Sequence, residues 1–225
     1  MSDDKFPIAV LASGSGTNFQ NLVDRSREGE LPIEVRLLIS DKPESGALKR
    51  ARRLGVDTFL AARADFETRQ AMDQAIGEAL DDSGAELVVL AGYMRVLGPE
   101  LVRAWRHKMI NLHPSLLPSF RGLDGLGQAL EAGVKVTGAT VHIVDEGLDT
   151  GPIVAQEAFA VPEGASRTEV EQILYPIEHD LVARAVRYFA EGRVRCDGKC
   201  VQILDEPTNN QGAETAQITE GQGNG

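Results

Sequence analysis

The chain has little of what would assign it to several large classes of protein. It carries two cysteines in 225 residues, Cys196 and Cys200, either side of Asp197, Gly198 and Lys199. Two are too few for a disulfide scaffold, and a metal site would need two more ligands that no suitable spacing supplies. A disulfide across so tight a turn is not expected in a reducing compartment, so the pair reads as two surface thiols flanking a turn. No apolar run approaches the ~18 residues of a membrane span. The acidic opening Met1, Ser2, Asp3, Asp4 and Lys5 is wrong for a secretory signal. These absences lead us to expect a soluble, cytoplasmic protein. Positive charge is also scarce, with 23 Lys and Arg against 34 Asp and Glu for a net charge of −11. That argues against general nucleic-acid binding, which needs clustered Lys and Arg. Part of the excess lies after Lys199, where Asp205, Glu206, Glu214 and Glu220 have no basic residue among them. An anionic substrate would have to be held by local donors, not by a global field.

What is present is ordinary globular composition, 42% apolar and 25% charged, in a length that suits one domain with a sizeable core. Residues 6–13 (FPIAVLAS) read as a buried strand before a glycine loop. A helix follows at 18–27 with apolar residues Phe19, Leu22 and Val23, then a strand at 33–40. Next come a helix at 47–54 ending at Gly55, a strand at 56–60, and a long helix at 65–81 with an Asp start. An apolar strand at 85–91, a helix at 99–105 with Pro in its first turn, and a strand at 109–113 complete the alternation. Strand and helix in strict succession predict an α/β fold: a doubly wound, mostly parallel, Rossmann-like sheet with helices on both faces. The pattern then changes. A short helix at 126–132 precedes two β-rich stretches, 136–144 and 153–161, joined by a long acidic loop. The longest helical stretch is 167–190, which Pro176 is expected to kink or split. Residues 193–204 predict a small β extension, a hairpin turning at Asp197 and Gly198. Residues 207–225 have the composition of a disordered tail.

Three segments carry chemistry. The first is MINLHPSLLP at 109–118, an apolar strand running into a proline-punctuated loop. Period-two alternation puts Asn111 and His113 on one face at the strand's carboxyl end, where open α/β sheets hold ligands. An amide donor beside a titratable imidazole suits a reaction that forms an oxyanion and moves a proton. The second is SGSGTN at 13–18, joining a strand to a helix. Its glycines and the helix N-terminus make a phosphate cradle that needs no lysine. No Gly-Lys-Ser/Thr follows, and Phe19 stands where the dinucleotide fingerprint has its third glycine. The plainer reading is a tight turn with Thr17 or Asn18 as the helix cap. The third is TVHIVDEGLDTGP at 140–152, a strand entering a loop with three carboxylates and two glycines. Such a loop can carry a carboxylate to a histidine, or can be a solvated acidic hairpin. His142, in mid-strand, reads as a packed histidine and not as a catalyst.

In this order the three segments resemble the glycinamide ribonucleotide transformylases, a branch of the folate-dependent formyltransferase superfamily. The resemblance runs from Phe6 to about Leu204. The Asn-x-His-Pro-Ser-Leu-Leu-Pro piece with a downstream Leu-Asp-x-Gly-Pro is specific to the superfamily, and the glycine loop narrows it to this branch. Tyr175-Pro176-Ile177-Glu178-His179 and Phe189-Ala190-Glu191-Gly192-Arg193 also look like this branch. Mapped residue by residue, the resemblance implies a catalytic trio of Asn111, His113 and Asp149. It implies that Gly16, Thr17 and Asn18 hold the phosphate of glycinamide ribonucleotide and Glu178 its ribose. It implies a folate side built from Arg69, Met94, Arg95, Val96, Leu97, Asn111, Asp145 and Asp149, with the loop of residues 145–149 closing the pterin pocket. The chain departs from the pattern at Leu126, where several members carry a histidine.

The resemblance thus implies one formyltransferase domain over residues 1–206. Its nucleotide-binding half is 6–113, and its folate and catalytic half is 114–206 with the C-terminal helix and hairpin. The implied reaction passes the formyl group of 10-formyltetrahydrofolate to the amine of glycinamide ribonucleotide, a step of de novo purine (IMP) synthesis. Formyl folate is then a co-substrate, no metal is needed, the partners are small molecules, and the state is monomer or homodimer. Two alternatives stand: a formyltetrahydrofolate hydrolase, and a nucleotide-sensing module with the fold but no chemistry.

Overall fold

The structure is a computed structural model and describes residues 5–205. The tail expected at 207–225 lies outside them. Five parallel strands form the first part of the sheet: β1 (Phe6–Leu11), β2 (Ile33–Ser40), β3 (Asp57–Leu60), β4 (Leu87–Ala91) and β5 (Met109–His113). Helices α1 (Thr17–Arg27), α2 (Gly46–Leu54), α3 (Arg69–Ser83) and α4 (Pro99–Ala104) connect them. After α5 (Gly125–Glu131), β6 (Val136–Ile143) and β7 (Ile153–Ala160) extend the sheet in antiparallel fashion. The strand order is β3-β2-β1-β4-β5-β6-β7. The expectation of a doubly wound, mostly parallel sheet therefore holds.

Alternation along the central strands explains why helices cover both faces. Ile8 and Val10 of β1, with Leu87 and Val89 of β4, point into one core with α1, α2 and the long helix α6 (Arg167–Ala190). Ala9 and Leu11, with Val88 and Leu90, point into the other with α3 and α4. All five residues of β4 are buried, as a strand covered on both sides requires.

Local expectations fail at three places. The helix expected from Asp65 starts later. Residues Arg63–Asp65 form a short 3-10 turn, and α3 begins at Arg69 because Thr68 accepts from the Ala71 N–H and caps it. Pro176 does not split α6, which runs unbroken for 24 residues. Leu174, Leu181, Val182 and Val186 are buried on either side of it, and that apolar burial outweighs the ~3 kcal/mol cost of an interior proline. The hairpin of β8 (Val194–Asp197) and β9 (Cys200–Ile203) turns one residue later than expected, at Gly198 and Lys199. Gly198 takes a φ of 57° while Lys199 stays out of the left-handed region, which suits a turn with glycine in its first central position. In that register Cys196 pairs with Val201 and Cys200 with Asp197, so the two thiols leave opposite faces of the ribbon. Cys196 is half-buried against the core and only Cys200 is exposed. Among the described residues no helix is long and apolar enough to cross a membrane.

Candidate active site

Neighbouring β1, β4 and β5 end on the same edge of the sheet, and the chain leaves β1 toward β2 on one side while β4 lies on the other. That reversal is the crevice in which open α/β sheets bind ligands. The glycine loop follows β1. Gly16 is the N-cap of α1 in a left-handed conformation (φ 76°), and no side chain caps the helix. The capping role expected of Thr17 or Asn18 is thus not taken. The first-turn N–H groups have no acceptor within the helix and face the crevice with the positive end of its dipole. A Cβ on Gly16 would lie 2.5 Å from Ala47 Cα, so glycine is required both by φ and by the approach of α2. Arg50 Nε donates to the Ser15 carbonyl at 2.9 Å, bringing a guanidinium to the loop that sequence reading did not single out.

Asn18 Nδ2 donates to Glu178 Oε2 at 3.4 Å, joining α1 to α6. The Asn18 Oδ1 is buried and has no hydrogen-bond partner, an acceptor left open toward a ligand. Glu178 is buried, and that burial pushes its carboxyl up to about 7. The Asn18 hydrogen bond lowers it and Glu171 raises it further.

The segment after β4 carries Met94, Arg95, Val96 and Leu97. Met94 and Val96 are exposed and Leu97 is buried. The side chain of Arg95 turns back to Asp41 at 2.9 Å. Arg69, at the start of α3, lies 3.6 Å from Asp73. Asp145 serves its own loop, accepting from the Gly147 N–H at 3.1 Å and the Thr150 hydroxyl at 2.7 Å. The hydrogen bonds and ion pairs described for Arg69 and Asp145 lie outside the cluster around Asn111. Leu126 is buried in the larger core and is a packing residue.

The centre forms at the end of β5. Antiparallel pairing sets Asn111 opposite His142 and His113 opposite Thr140. The loop between β6 and β7 then returns Asp149, in a left-handed conformation (φ 50°), onto this face. Asp149 Oδ2 accepts from the Gly122 N–H at 2.7 Å and lies 3.5 Å from His113 Nδ1. Its Oδ1 lies 3.4 Å from both Asn111 Nδ2 and His142 Nε2. Burial raises this carboxyl, but the His142 contact, the Gly122 N–H and the neighbouring imidazoles outweigh it and hold Asp149 below the usual aspartate range. The other nitrogen of His113, Nε2, lies 2.8 Å from the Phe120 carbonyl. His142 Nδ1 lies 2.9 Å from the Ile143 carbonyl, which directs Nε2 toward Asn111 at 3.2 Å. His142 is buried, as a packed histidine would be, yet it is also a member of the cluster. Its position opposite Asn111 follows from the register, which sequence reading had no means to assign.

A doubly wound α/β fold with an uncapped helix N-terminus on one side of its crevice and an amide–imidazole–carboxylate cluster on the other is built for group transfer. The chain belongs to the formyl transferase family, whose profile matches residues 6–186. It is 46% identical over 172 residues to the phosphoribosylglycinamide formyltransferase of Bacillus subtilis (strain 168), a match covering 76% of this chain and 88% of that protein. The structure is similar to that of glycinamide ribonucleotide transformylase 1 from Symbiobacterium toebii, with a TM-score of 0.87 and 45% identity over 89% of this chain and 95% of that one. A formyltetrahydrofolate deformylase from Pseudomonas syringae pv. tomato str. DC3000 has a TM-score of 0.82 at 28% identity, over 90% of this chain and 67% of that one.

Proposed function

We propose that the chain transfers the formyl group of 10-formyltetrahydrofolate to the amine of glycinamide ribonucleotide, giving formylglycinamide ribonucleotide and tetrahydrofolate. The observation that carries this reading is the convergence of Asn111, His113 and Asp149 on one face at the end of β5. The uncapped N-terminus of α1, at Gly16, Thr17 and Asn18, takes the phosphate, and Glu178 with the open Asn18 oxygen takes the ribose hydroxyls. The formyl folate lies along Met94, Arg95, Val96 and Leu97 and under the 145–149 loop. The greater identity to the transformylases than to the deformylase, 45% against 28%, favours an amine acceptor over water.

The amine nitrogen attacks the formyl carbon, the C–N bond to folate N10 breaks after the new C–N bond forms, and the carbonyl oxygen is an oxyanion in between. Asn111 Nδ2 donates to that oxygen. His113 adds a second hydrogen bond by exchanging the Phe120 carbonyl for the substrate. Each such donor is worth ~10² to 10³ in rate. Asp149 holds His113 through Nδ1, and the surplus proton of the amine passes to folate N10 through Asp149 or a water. Two substrates held end to end supply the proximity that a bimolecular reaction lacks.

The test is a spectrophotometric assay with glycinamide ribonucleotide and a 10-formyl folate analogue. Absorbance change that depends on the ribonucleotide supports the reading. Formate release without it would transfer the chain to the hydrolases, and no folate signal at any pH would overturn the proposal.

A further inference from the structure

Outside the transfer cluster, a second polar network holds the stretch between β4 and α4. Ser13 Oγ donates to Asp41 Oδ1 at 2.5 Å and accepts from the Met94 N–H at 2.9 Å. Asp41 Oδ2 accepts from Arg95 Nε at 2.9 Å. Ser13 and Asp41 are 3% and 8% exposed, so this network is in the interior and not on the rim. At the far end, the Gly98 N–H donates to Asp73 Oδ2 at 2.9 Å. Tyr93, just before the first tie, is buried, while Met94 and Val96 are exposed.

The connectivity gives these contacts a consequence. Ser13 opens the glycine loop after β1, Asp41 follows β2, and Met94 and Arg95 follow β4. Hydrogen bonds to an ionised acceptor are about twice as strong as neutral ones, and a carboxylate this buried is stable only while it is paired. One carboxylate therefore ties the loop on the phosphate side to the backbone on the other side of the crevice.

We propose that Asp41, acting through Ser13 and Arg95, is a positioning residue for folate recognition, holding the backbone of residues 94–97 in the conformation that the formyl folate meets. This rests on the transfer reading above. In the full chain, Asp41→Asn and Asp41→Ser should each raise the KM for the formyl folate about tenfold, with kcat and the KM for the ribonucleotide within about twofold. Amide hydrogen exchange over residues 92–98 should quicken about tenfold or more and stay unchanged over α6. Equal rises in both KM values, a fall in kcat alone, or unchanged exchange over 92–98 would overturn the proposal. If Asp41→Ser does not fold, Asp41→Asn carries the test, because it preserves size and removes only charge. A wild-type chain with no ribonucleotide-dependent turnover would sink the transfer reading instead, and the exchange comparison would still decide whether the tie exists.

Discussion

His142 presents Nε2 to Asp149 Oδ1 at 3.4 Å, and this contact is the first of the influences that hold the Asp149 carboxyl low against its burial. Asp149 thereby stands between two imidazoles, one from β5 and one from β6, although it belongs to neither strand.

Replacing His142 with Phe keeps a planar ring in a buried site and removes its hydrogen bonds. Asp149 should then titrate nearer the ordinary aspartate value, because its largest lowering influence is gone. The acid limb of kcat/KM should move to higher pH, and turnover should fall about tenfold. A pH–rate profile of the variant reads both. An acid limb unmoved from wild type would show that His142 only packs.

Asp149→Asn keeps the shape of the side chain and takes away its charge and its capacity to accept a proton. Turnover should drop about a hundredfold or more, with ribonucleotide affinity nearly intact, since α1 and Glu178 are untouched. Initial rates combined with calorimetric titration of the ribonucleotide separate the two effects. Near-normal turnover would remove Asp149 from the chemistry.

Gly16→Ala meets two obstacles, a φ of 76° and a Cβ 2.5 Å from Ala47 Cα. The left-handed conformation alone costs an L-residue about 1 to 2 kcal/mol, and the contact with α2 adds to it. Thermal unfolding should show a loss of roughly 1 to 3 kcal/mol. The KM for the ribonucleotide should rise while that for the formyl folate stays the same. An unchanged ribonucleotide KM would dispose of the phosphate cradle.

Glu178 predicts a pH dependence of opposite sense to that of an ordinary paired carboxylate. Burial lifts it from 4.5 to about 7. A carboxyl raised in the folded state contributes stability below its unfolded value and loses that contribution as pH rises through the folded value. Between about pH 5 and about pH 8, Glu178→Gln should therefore gain roughly 2 to 3 kcal/mol relative to wild type. Over the same range the wild-type KM for the ribonucleotide should fall, because the ionised carboxylate accepts hydroxyl hydrogens better, and the Gln variant should lose that slope. Denaturant melts at the two pH values, with matched kinetics, check both signs.

Much of the fold was legible in the chain. The buried runs of β1 and β4, the glycine loop and the succession of strands and helices as far as His113 are local signals. Hydrophobic burial is strong enough that period and punctuation specify the layers. Legibility failed where a local signal was weak or was overruled. Thr68 outcompeted Asp65 as a helix start, and the packing of α6 overrode Pro176.

By itself the sequence determined which chemical groups are available and that Asn111 and His113 share a face, because a strand's period is two. It also supplied the glycine loop between β1 and α1, whereas the need for glycine at 16 comes from its φ and from the approach of α2. Only the tertiary structure decided what meets them. The antiparallel return of β6 placed His142 opposite Asn111, and the β6–β7 loop delivered Asp149 to both imidazoles. The fold of α6 over α1 put Glu178 on Asn18. The reason is that strand register and loop closure depend on contacts between segments far apart in the chain, and no local pattern encodes those contacts.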